Sequence, residues 1–211
     1  MPEAVGAEDM RTSAQIILAS ASPRRRELLE QIGITARVQA VDIDESRFPN
    51  EAVMDFVQRL AMEKAQCGFE TVSNDEARPV LGSDTIVEIG GDVLGKPEDR
   101  EHAREILMML SGRVHEVHTS VAMVSQDRKI IDTSSTQVHF KTLEAGEIDS
   151  YISTGEADDK AGAYAIQGIA AQFVKNINGS YSGVMGLPLY ETAKLLKQCG
   201  IRTLDSSGYK K

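Results

Sequence analysis

Apolar residues recur along the chain at two spacings, and these spacings predict the helices and strands. A spacing near 3.6 residues places apolar side chains on one helical face, whereas short alternating or unbroken apolar runs are typical of strands. The first spacing predicts helices that begin at Pro23, run from about Glu51 to Gly68, end near Gly112, run from about Leu143 to Thr154, and run from Pro188 to about Cys199. The second predicts strands at "ILAS", "ARVQAV", "RPVLGSDTIVEI", "GDVL", Val114 to Val124 and Ile130 to Phe140. It also predicts two more strands or strand-like segments at "AGAYAIQG" and "AQFVKNING".

The order of these elements predicts an α/β fold with a mixed sheet. Strands and helices alternate unevenly, and the Gly-Gly pair at 90 and 91 is typical of a hairpin turn. A hairpin makes its two strands antiparallel, so the sheet is not expected to be purely parallel. We expect one domain over residues 14–204, with a flexible leader over 1–13 and a flexible tail over 205–211.

The first predicted helix carries three arginines where a helix is least suited to cations. Ser22 is a good N-cap and Pro23 suits the first helical position, so the arginines at 24–26 fall in the first turn. A side-chain cation near this partly positive end typically costs about 0.3–1 kcal/mol. A bound polyanion would explain the arrangement, because backbone N–H groups and guanidiniums could then act together on phosphate oxygens. The alternative is a solvated basic turn with Arg26 paired to Glu30.

The second predicted helix has a lysine in the middle of its apolar face. The stripe consists of Val53, Phe56, Val57, Leu60, Ala61 and Cys67. Lys64 projects from this stripe, and an inward cation needs an anionic partner or ligand, which makes it a candidate phosphate ligand. In the alternative, its stem covers apolar surface and its ammonium reaches water at the edge of the core.

Asp84 places a carboxylate inside an otherwise apolar strand, "VLGSDTIVEI". In an unbroken strand Asp84 and Thr85 face opposite sides. A buried carboxylate has to be protonated, hydrogen-bonded, paired or bound to a metal. Together with Asp42, Asp44 and Glu45 of the loop "DIDES", it forms a loose set of oxygen ligands that suits Mg²⁺ or Mn²⁺. A structural aspartate beside a solvated acidic loop is the alternative.

Composition excludes several classes of function. A net charge of −9 and a pI near 5.0 argue against nucleic-acid or membrane-surface binding, so any basic site has to be small and focused. Cys67 and Cys199 lie far apart in helical patterns, which argues against a disulfide framework or a thiolate metal site. The N-terminal stretch is acidic and has no long apolar run, so we expect neither a signal peptide nor a membrane span, and a cytoplasmic location.

Other polar residues carry weaker signals. There is no nucleophile elbow around Ser20 or "GSDT", and no glycine-rich phosphate or dinucleotide loop. The histidines at 102, 115, 118 and 139 show no paired metal spacing, and we expect them on the surface. Lys96 lies in the turn "GKP" and Lys160 in "DDKAGAY". A turn lysine is usually just surface, so each of the two alone is weak evidence. The amide of Gln167 can both donate and accept, which suits reading a base edge, although a structural amide is the ordinary explanation.

Eight short motifs, taken in order, resemble the Maf family of nucleoside triphosphate pyrophosphatases: "SASPRR", "DIDE", "RLAMEKA", "LGSDTIV", "LGKP", "LSG", "DKAGAYAIQG" and "INGSYSGVMGLPL". The resemblance covers about residues 15 to 200, and "DKAGAYAIQG" is similar to the subgroup that hydrolyses dTTP and UTP. It implies an inosine triphosphate pyrophosphatase-like (Maf/Ham1) fold, with an elongated mixed sheet, flanking helices and two lobes around a cleft. It also implies that water and a divalent cation split the α–β phosphate bond, giving a monophosphate and pyrophosphate.

The resemblance also implies roles for particular residues by motif position. Asp84 is implied as the general base, Arg24, Thr85 and Gln167 as specificity positions, Ser20, Arg25, Lys64 and Lys96 as phosphate-binding residues, and Glu45 with Asp84 as ligands of Mg²⁺ or Mn²⁺. The sequence departs from the family at Gly95, in place of a larger side chain, and at Gly183, in place of a more usual Asn. A homodimer is expected only because the resemblance to the family implies one.

Two other functions fit the same motifs. The pocket could bind a nucleotide without turnover, as a regulator of cell division, since the family is named after a septum-formation phenotype. It could also hydrolyse another nucleotide, such as a methylated GTP or a modified pyrimidine. A full set of base, metal and phosphate residues favours the enzyme, because a sensor has no need of a carboxylate beside the scissile bond.

Overall fold

One seven-stranded mixed sheet organises residues 14–71 and 78–203, which are the residues that the computed structural model describes. The strands are β1 (Ile16–Leu18), β2 (Ala36–Val38), β3 (Val80–Ile89), β4 (Asp92–Leu94), β5 (Val114–Val124), β6 (Lys129–Phe140) and β7 (Val174–Asn178). They lie in the order β2-β1-β3-β5-β6-β7, with β4 paired to β3. β1 is parallel to β2 and β3, and the other pairs are antiparallel, so the predicted mixed sheet is confirmed.

Helices cover the sheet, and their positions follow the predicted pattern. They are α1 (Pro23–Gln31), α2 (Val53–Glu70), α3 (Arg100–Leu110), α4 (Ala145–Ser153), α5 (Tyr181–Val184) and α6 (Leu189–Gln198). The apolar face of α3, formed by Ala103, Ile106, Leu107 and Leu110, is buried. The helix begins where Asp99 accepts a hydrogen bond from the His102 amide, and it is followed by Gly112 at a φ of +70°. The sequence pattern did not predict the four-residue helix α5.

One predicted strand is wrong. The segment "AGAYAIQG" contains a 3₁₀ turn, Ala161–Ala163, and then irregular backbone. Gly162 has a φ of +71° and Ala163 a φ of +56°, values that an extended strand does not allow. The following segment is a 3₁₀ helix, Ile169–Phe173, before β7, so only its second half is a strand. A run of apolar and small residues does not reveal such a bend.

The core divides into two large clusters that meet along β3. One cluster packs β1, α1 and α6 around Leu81, and the other packs α3 and α4 around Val87. On one edge of β3, β1 pairs only with Val80 and Leu81, and β4 begins its pairing at Val87. Positions 82–86 of β3 therefore lie between the two neighbouring strands, which leaves room for a cleft.

Two of the four histidines contradict the expectation of a surface position. His115 and His118 are buried, at 1% and 4% exposure, while His102 and His139 are half-buried. β5 is covered on both faces, so its alternation does not separate buried from exposed positions.

Other expectations concern cysteines, membranes and the chain ends. Cys67 and Cys199 are both free and half-buried. Among the described residues there is no helix with the length and apolar character needed to cross a membrane. The expected leader over 1–13 and tail over 205–211 lie outside the described residues.

Candidate active site

The N-terminus of α1 presents its arginines differently from one another. Arg26 is exposed and pairs with Glu30 at 3.4 Å, which is the solvated arrangement. Arg25 instead turns inward, where its Nε donates to the Gly186 carbonyl at 2.9 Å and its Nη1 to Ser20 Oγ at 3.2 Å. The Ser22 amide also donates to Ser20 Oγ at 3.2 Å. The serine thus ties the turn before α1 to the guanidinium of Arg25.

Close approach between α2 and β3 brings Lys64 to Asp84. A Cβ on Gly82 would lie 2.3 Å from the Ala61 carbonyl and 2.5 Å from the Ala65 amide, so only glycine allows the helix to pack this closely. Lys64 Nζ then lies 2.6 Å from Asp84 Oδ1 and 2.7 Å from Glu45 Oε1. The inward orientation predicted for Lys64 is confirmed.

Asp84 and Thr85 face opposite sides of β3, yet both border the same cleft. The Asp84 side chain is on the α2 side, where only about a tenth of it is exposed. Thr85 is on the side of α5, where its Oγ1 accepts from Thr119 Oγ1 at 3.0 Å. Both are reached from the cleft because this stretch of β3 lies in the gap between β1 and β4.

The acidic loop contributes only part of the expected carboxylate set. Glu45 reaches the cleft with 55% of its side chain exposed. Asp44 is exposed and accepts from the Ser46 amide at 2.9 Å, and Asp42 is exposed as well. Neither of these aspartates lines the cleft, so the looser four-acid set of the sequence is wrong and the pair Glu45 and Asp84 remains.

The cleft is a cavity of about 650 Å³, a size typical of small-molecule sites. All nine residues to which the resemblance assigns a role line it: Ser20, Arg24, Arg25, Glu45, Lys64, Asp84, Thr85, Lys96 and Gln167. Lys160, a weak candidate in the sequence, lines it too, with only 14% of its side chain exposed. The lining includes five basic and three acidic residues, although the chain as a whole has a net charge of −9. The structure therefore concentrates positive charge in this one cleft.

The electrostatics of the basic groups favour an anionic ligand. Burial lowers the pKa of the Arg25 guanidinium; Arg24 adds to this effect, while Asp84 and Glu45 oppose it. Burial followed by repulsion from Arg24 also lowers the pKa of Lys160. These cations repel one another, and a polyanion placed among them would offset that repulsion.

The two carboxylates differ in their environments. Burial raises the pKa of Asp84 above its ordinary value, and attraction from Lys64 and Arg25 only partly offsets that rise. Burial by itself would raise the pKa of Glu45. The hydrogen bond from Lys64 and the charges of Lys64, Lys96 and Arg25 outweigh that effect, so the pKa of Glu45 lies below its ordinary value. Asp84 is therefore the stronger base of the pair.

Further contacts of the site were not visible in the sequence. Gly186, at a φ of +108°, accepts from both Arg25 Nε and Ser83 Oγ through its carbonyl. The residue follows α5 and stands 161 positions from Arg25 in the sequence. In the sequence, only the glycines of "GVMGLPL" could have suggested a backbone with positive φ there.

The donor set suits a hard divalent cation. Both carboxylates contact the same ammonium, at 2.6 and 2.7 Å, so both are directed at one point of the cleft. Mg²⁺ is usually bound by one or two carboxylates together with water and substrate phosphates, and Mn²⁺ accepts the same oxygen ligands. Glu45 and Asp84 fit that description.

Comparison with known proteins points to one family. A family model described as Maf-like protein matches residues 15–199. Proteins named dTTP/UTP pyrophosphatase are similar to the chain: that of Colwellia psychrerythraea is 52% identical over 191 residues and 90% of each chain, and that of Hahella chejuensis is 48% identical over 188 residues, covering 89% of this chain and 94% of the relative. Among solved structures, the Ham1 protein of Staphylococcus aureus is similar with a TM-score of 0.38 and 16% identity, over 59% of this chain and 71% of that one.

Proposed function

The chain belongs to the Maf family, and from that membership and the geometry of the cleft we propose that it hydrolyses dTTP and UTP to the nucleoside monophosphate and pyrophosphate. The observation that carries the proposal is the contact between Lys64 and Asp84 within a basic cleft. It places a carboxylate of raised pKa among cations suited to a phosphate chain.

The triphosphate would be bound at the N-terminus of α1. Arg25 is held there by Ser20 and the Gly186 carbonyl, so its guanidinium is already oriented before a ligand arrives. Such preorganisation lowers the entropic cost of binding. Lys64 and Lys96 would neutralise the charge that moves onto the departing pyrophosphate.

Asp84 would orient and deprotonate the attacking water. Its raised pKa brings it closer to the range in which a general base is efficient at neutral pH. A divalent cation held by Glu45 and Asp84 would lower the pKa of a bound water and stabilise charge on the phosphates. Lys64, which contacts both carboxylates, would offset part of their mutual repulsion and fix their positions.

Pyrimidine selectivity would come from cleft residues outside the phosphate and metal set. Thr85 and Gln167 line the cleft, as do the apolar side chains of Val117 and Ile166. An apolar wall with a few placed polar groups is the usual architecture for recognising a base. The amide of Gln167 can both donate and accept, as the edge of a uracil or thymine ring requires.

A triphosphate panel tests the proposal. Purified protein with Mg²⁺ or Mn²⁺ is given dTTP, UTP, the other common nucleotides and a methylated GTP, and products are separated into pyrophosphate and orthophosphate. We expect pyrophosphate from dTTP and UTP. Orthophosphate as the product would contradict cleavage between the α and β phosphates. Tight binding of one nucleotide without release would indicate a regulator, and a preference for methylated GTP would indicate the other subgroup.

Substitution of Asp84 tests its assigned role. Asp84→Asn should lose at least about 100-fold in turnover, the low end for a general base, while the fold is kept. Asp92→Asn, on the exposed part of β4, is the matched control and should behave like the wild type. Near-normal turnover of Asp84→Asn would refute the role.

A further inference from the structure

A second group of titratable side chains lies on β3 and β5, outside the cleft. Glu88 and Glu116 stand directly opposite each other on the two antiparallel strands, and His118 is two residues further along β5 on the same face. Glu88 follows Asp84 by four residues, which is about 13 Å along a strand. None of the three residues belongs to the cavity lining.

The three side chains converge on a point beside the imidazole. His118 Nε2 lies 3.1 Å from Glu88 Oε2 and 3.4 Å from Glu116 Oε2. All three ligand atoms lie within 4.8 Å of one another. In a tetrahedral zinc site, bonds of about 2.0–2.1 Å place neighbouring ligand atoms about 3.3 Å apart. The distances from the ring nitrogen match that edge length.

The charges of the group call for a cation. Like charges directly opposite each other on neighbouring strands are destabilising. A proton on Nε2 can be donated well to only one carboxylate, whereas a metal ion at the same point satisfies both carboxylates and the ring nitrogen. The His118 side chain is 5% exposed, and its other nitrogen, Nδ1, lies 2.8 Å from Ser135 Oγ. When Nδ1 donates to that hydroxyl, Nε2 keeps a lone pair for a metal, as in most histidine-metal sites.

We propose that Glu88, Glu116 and His118 bind a divalent transition-metal ion, with Zn²⁺ the best match, at a site separate from the nucleotide cleft. One imidazole with two carboxylates is a donor set that favours such an ion over Mg²⁺, which prefers oxygen ligands alone. Glu116 is 45% exposed at its side chain, so water can complete the coordination from that side. The ion would tie β3 to β5.

The test isolates this site from the cleft. In protein carrying Glu45→Gln and Asp84→Asn, titration with Zn²⁺ followed by calorimetry should still show one bound ion per chain. Adding His118→Gln or, separately, Glu116→Gln should weaken that binding more than the 10–100-fold typical of losing a supporting hydrogen bond. Glu101→Gln, an exposed glutamate of α3, is the matched control and should leave it unchanged. Co²⁺ in place of Zn²⁺ should give the intense visible absorption of a tetrahedral site.

Other outcomes overturn the proposal. Equal Zn²⁺ affinity with and without His118→Gln would do so, as would binding that disappears when Cys67 and Cys199 are alkylated. In otherwise wild-type protein, His118→Gln should lower the Zn²⁺ stoichiometry by one, and an unchanged stoichiometry would refute the site. Pyrophosphate release with Mg²⁺ should be unaffected by the same substitution, so a failure of this proposal is distinguishable from a failure of the proposed hydrolysis.

Discussion

Replacing Lys64 with methionine tests the central contact of the cleft. Methionine keeps an unbranched stem of similar length but removes the ammonium that lies 2.6 Å from Asp84 and 2.7 Å from Glu45. Asp84 then keeps a buried carboxylate without its nearest cation. The substitution therefore separates two roles of the lysine, which are covering apolar surface and neutralising a buried charge.

The size of the effect follows from the geometry. At an effective dielectric constant of about 20, opposite charges at the 2.6 Å separation attract by about 6 kcal/mol, before desolvation is subtracted. Removing one partner of a buried pair usually costs about 3–5 kcal/mol. We expect about 3 kcal/mol here, because Arg25 still acts on Asp84. For a domain of this size, that loss lowers Tm by about 6–12 °C.

The pH dependence gives an independent check. Burial raises the folded-state pKa of Asp84, and loss of Lys64 removes an interaction that lowers it, so the variant's pKa rises further. A carboxyl whose pKa is higher in the folded state binds more protons there than when unfolded, so stability falls as pH rises from the unfolded pKa through the folded pKa. The penalty of Lys64→Met should thus be largest near neutral pH and shrink in acid.

Urea and thermal unfolding of the free protein measure both effects. A double-mutant cycle with Asp84→Asn should show a coupling of at least about 1.5 kcal/mol, since the double variant has no unpaired buried charge. If Lys64→Met changes Tm by only a degree or so and shows no coupling, the lysine serves as an apolar cover and the electrostatic reasoning is refuted.

Two further predictions concern the supporting structure. Burial, with a smaller effect of His139, lowers the pKa of His115 to about 4, below its unfolded value near 6.5. The neutral, buried imidazole should therefore contribute about 3 kcal/mol of stability that is lost as pH falls from about 6.5 to 4. His115→Gln should flatten the stability profile in that window by urea unfolding, and an unchanged slope would contradict the assignment. Gly82→Ala should separate α2 from β3, lower the free energy of unfolding by about 1–3 kcal/mol and abolish pyrophosphate release. Gly146→Ala, which has open space around its Cβ, is the control and should have none of these effects. Normal release by Gly82→Ala would contradict the close packing.

Local pattern predicted the bounds of the elements well where a long run or stripe of apolar residues marks them. The apolar stripe of α3 and the paired apolar-rich strands β5 and β6 lie within a residue or two of the expected positions. Prediction failed at "AGAYAIQG", where the positive φ values of Gly162 and Ala163 bend a run of residues that reads as a strand. Gly162 packs against Val87, a residue of β3 far away in the sequence, and a Cβ at this position would lie 3.0 Å from the Val87 side chain.

The site shows the same division between local and distant causes. The sequence alone determined that Lys64 stands on an apolar helix face and that Asp84 interrupts an apolar strand, since both statements need only the periodicity of one element. It also suggested, through its motifs, which residues share a site. The resemblance implied Glu45 among them, but periodicity could not distinguish it from Asp42 and Asp44. That Glu45 alone of the three lines the cleft and contacts Lys64 depends on where a loop without periodicity is held.

The burial of side chains on β5 likewise depends on the tertiary structure. His115 and His118 are ordinary polar residues in the sequence, and their burial depends on helices and strands packing over both faces of the sheet. The meeting of His118 with Glu88 depends on the register between β3 and β5, which a single sequence does not reveal. Periodicity carries information about each element's own faces, whereas contacts between elements depend on how distant segments pack together.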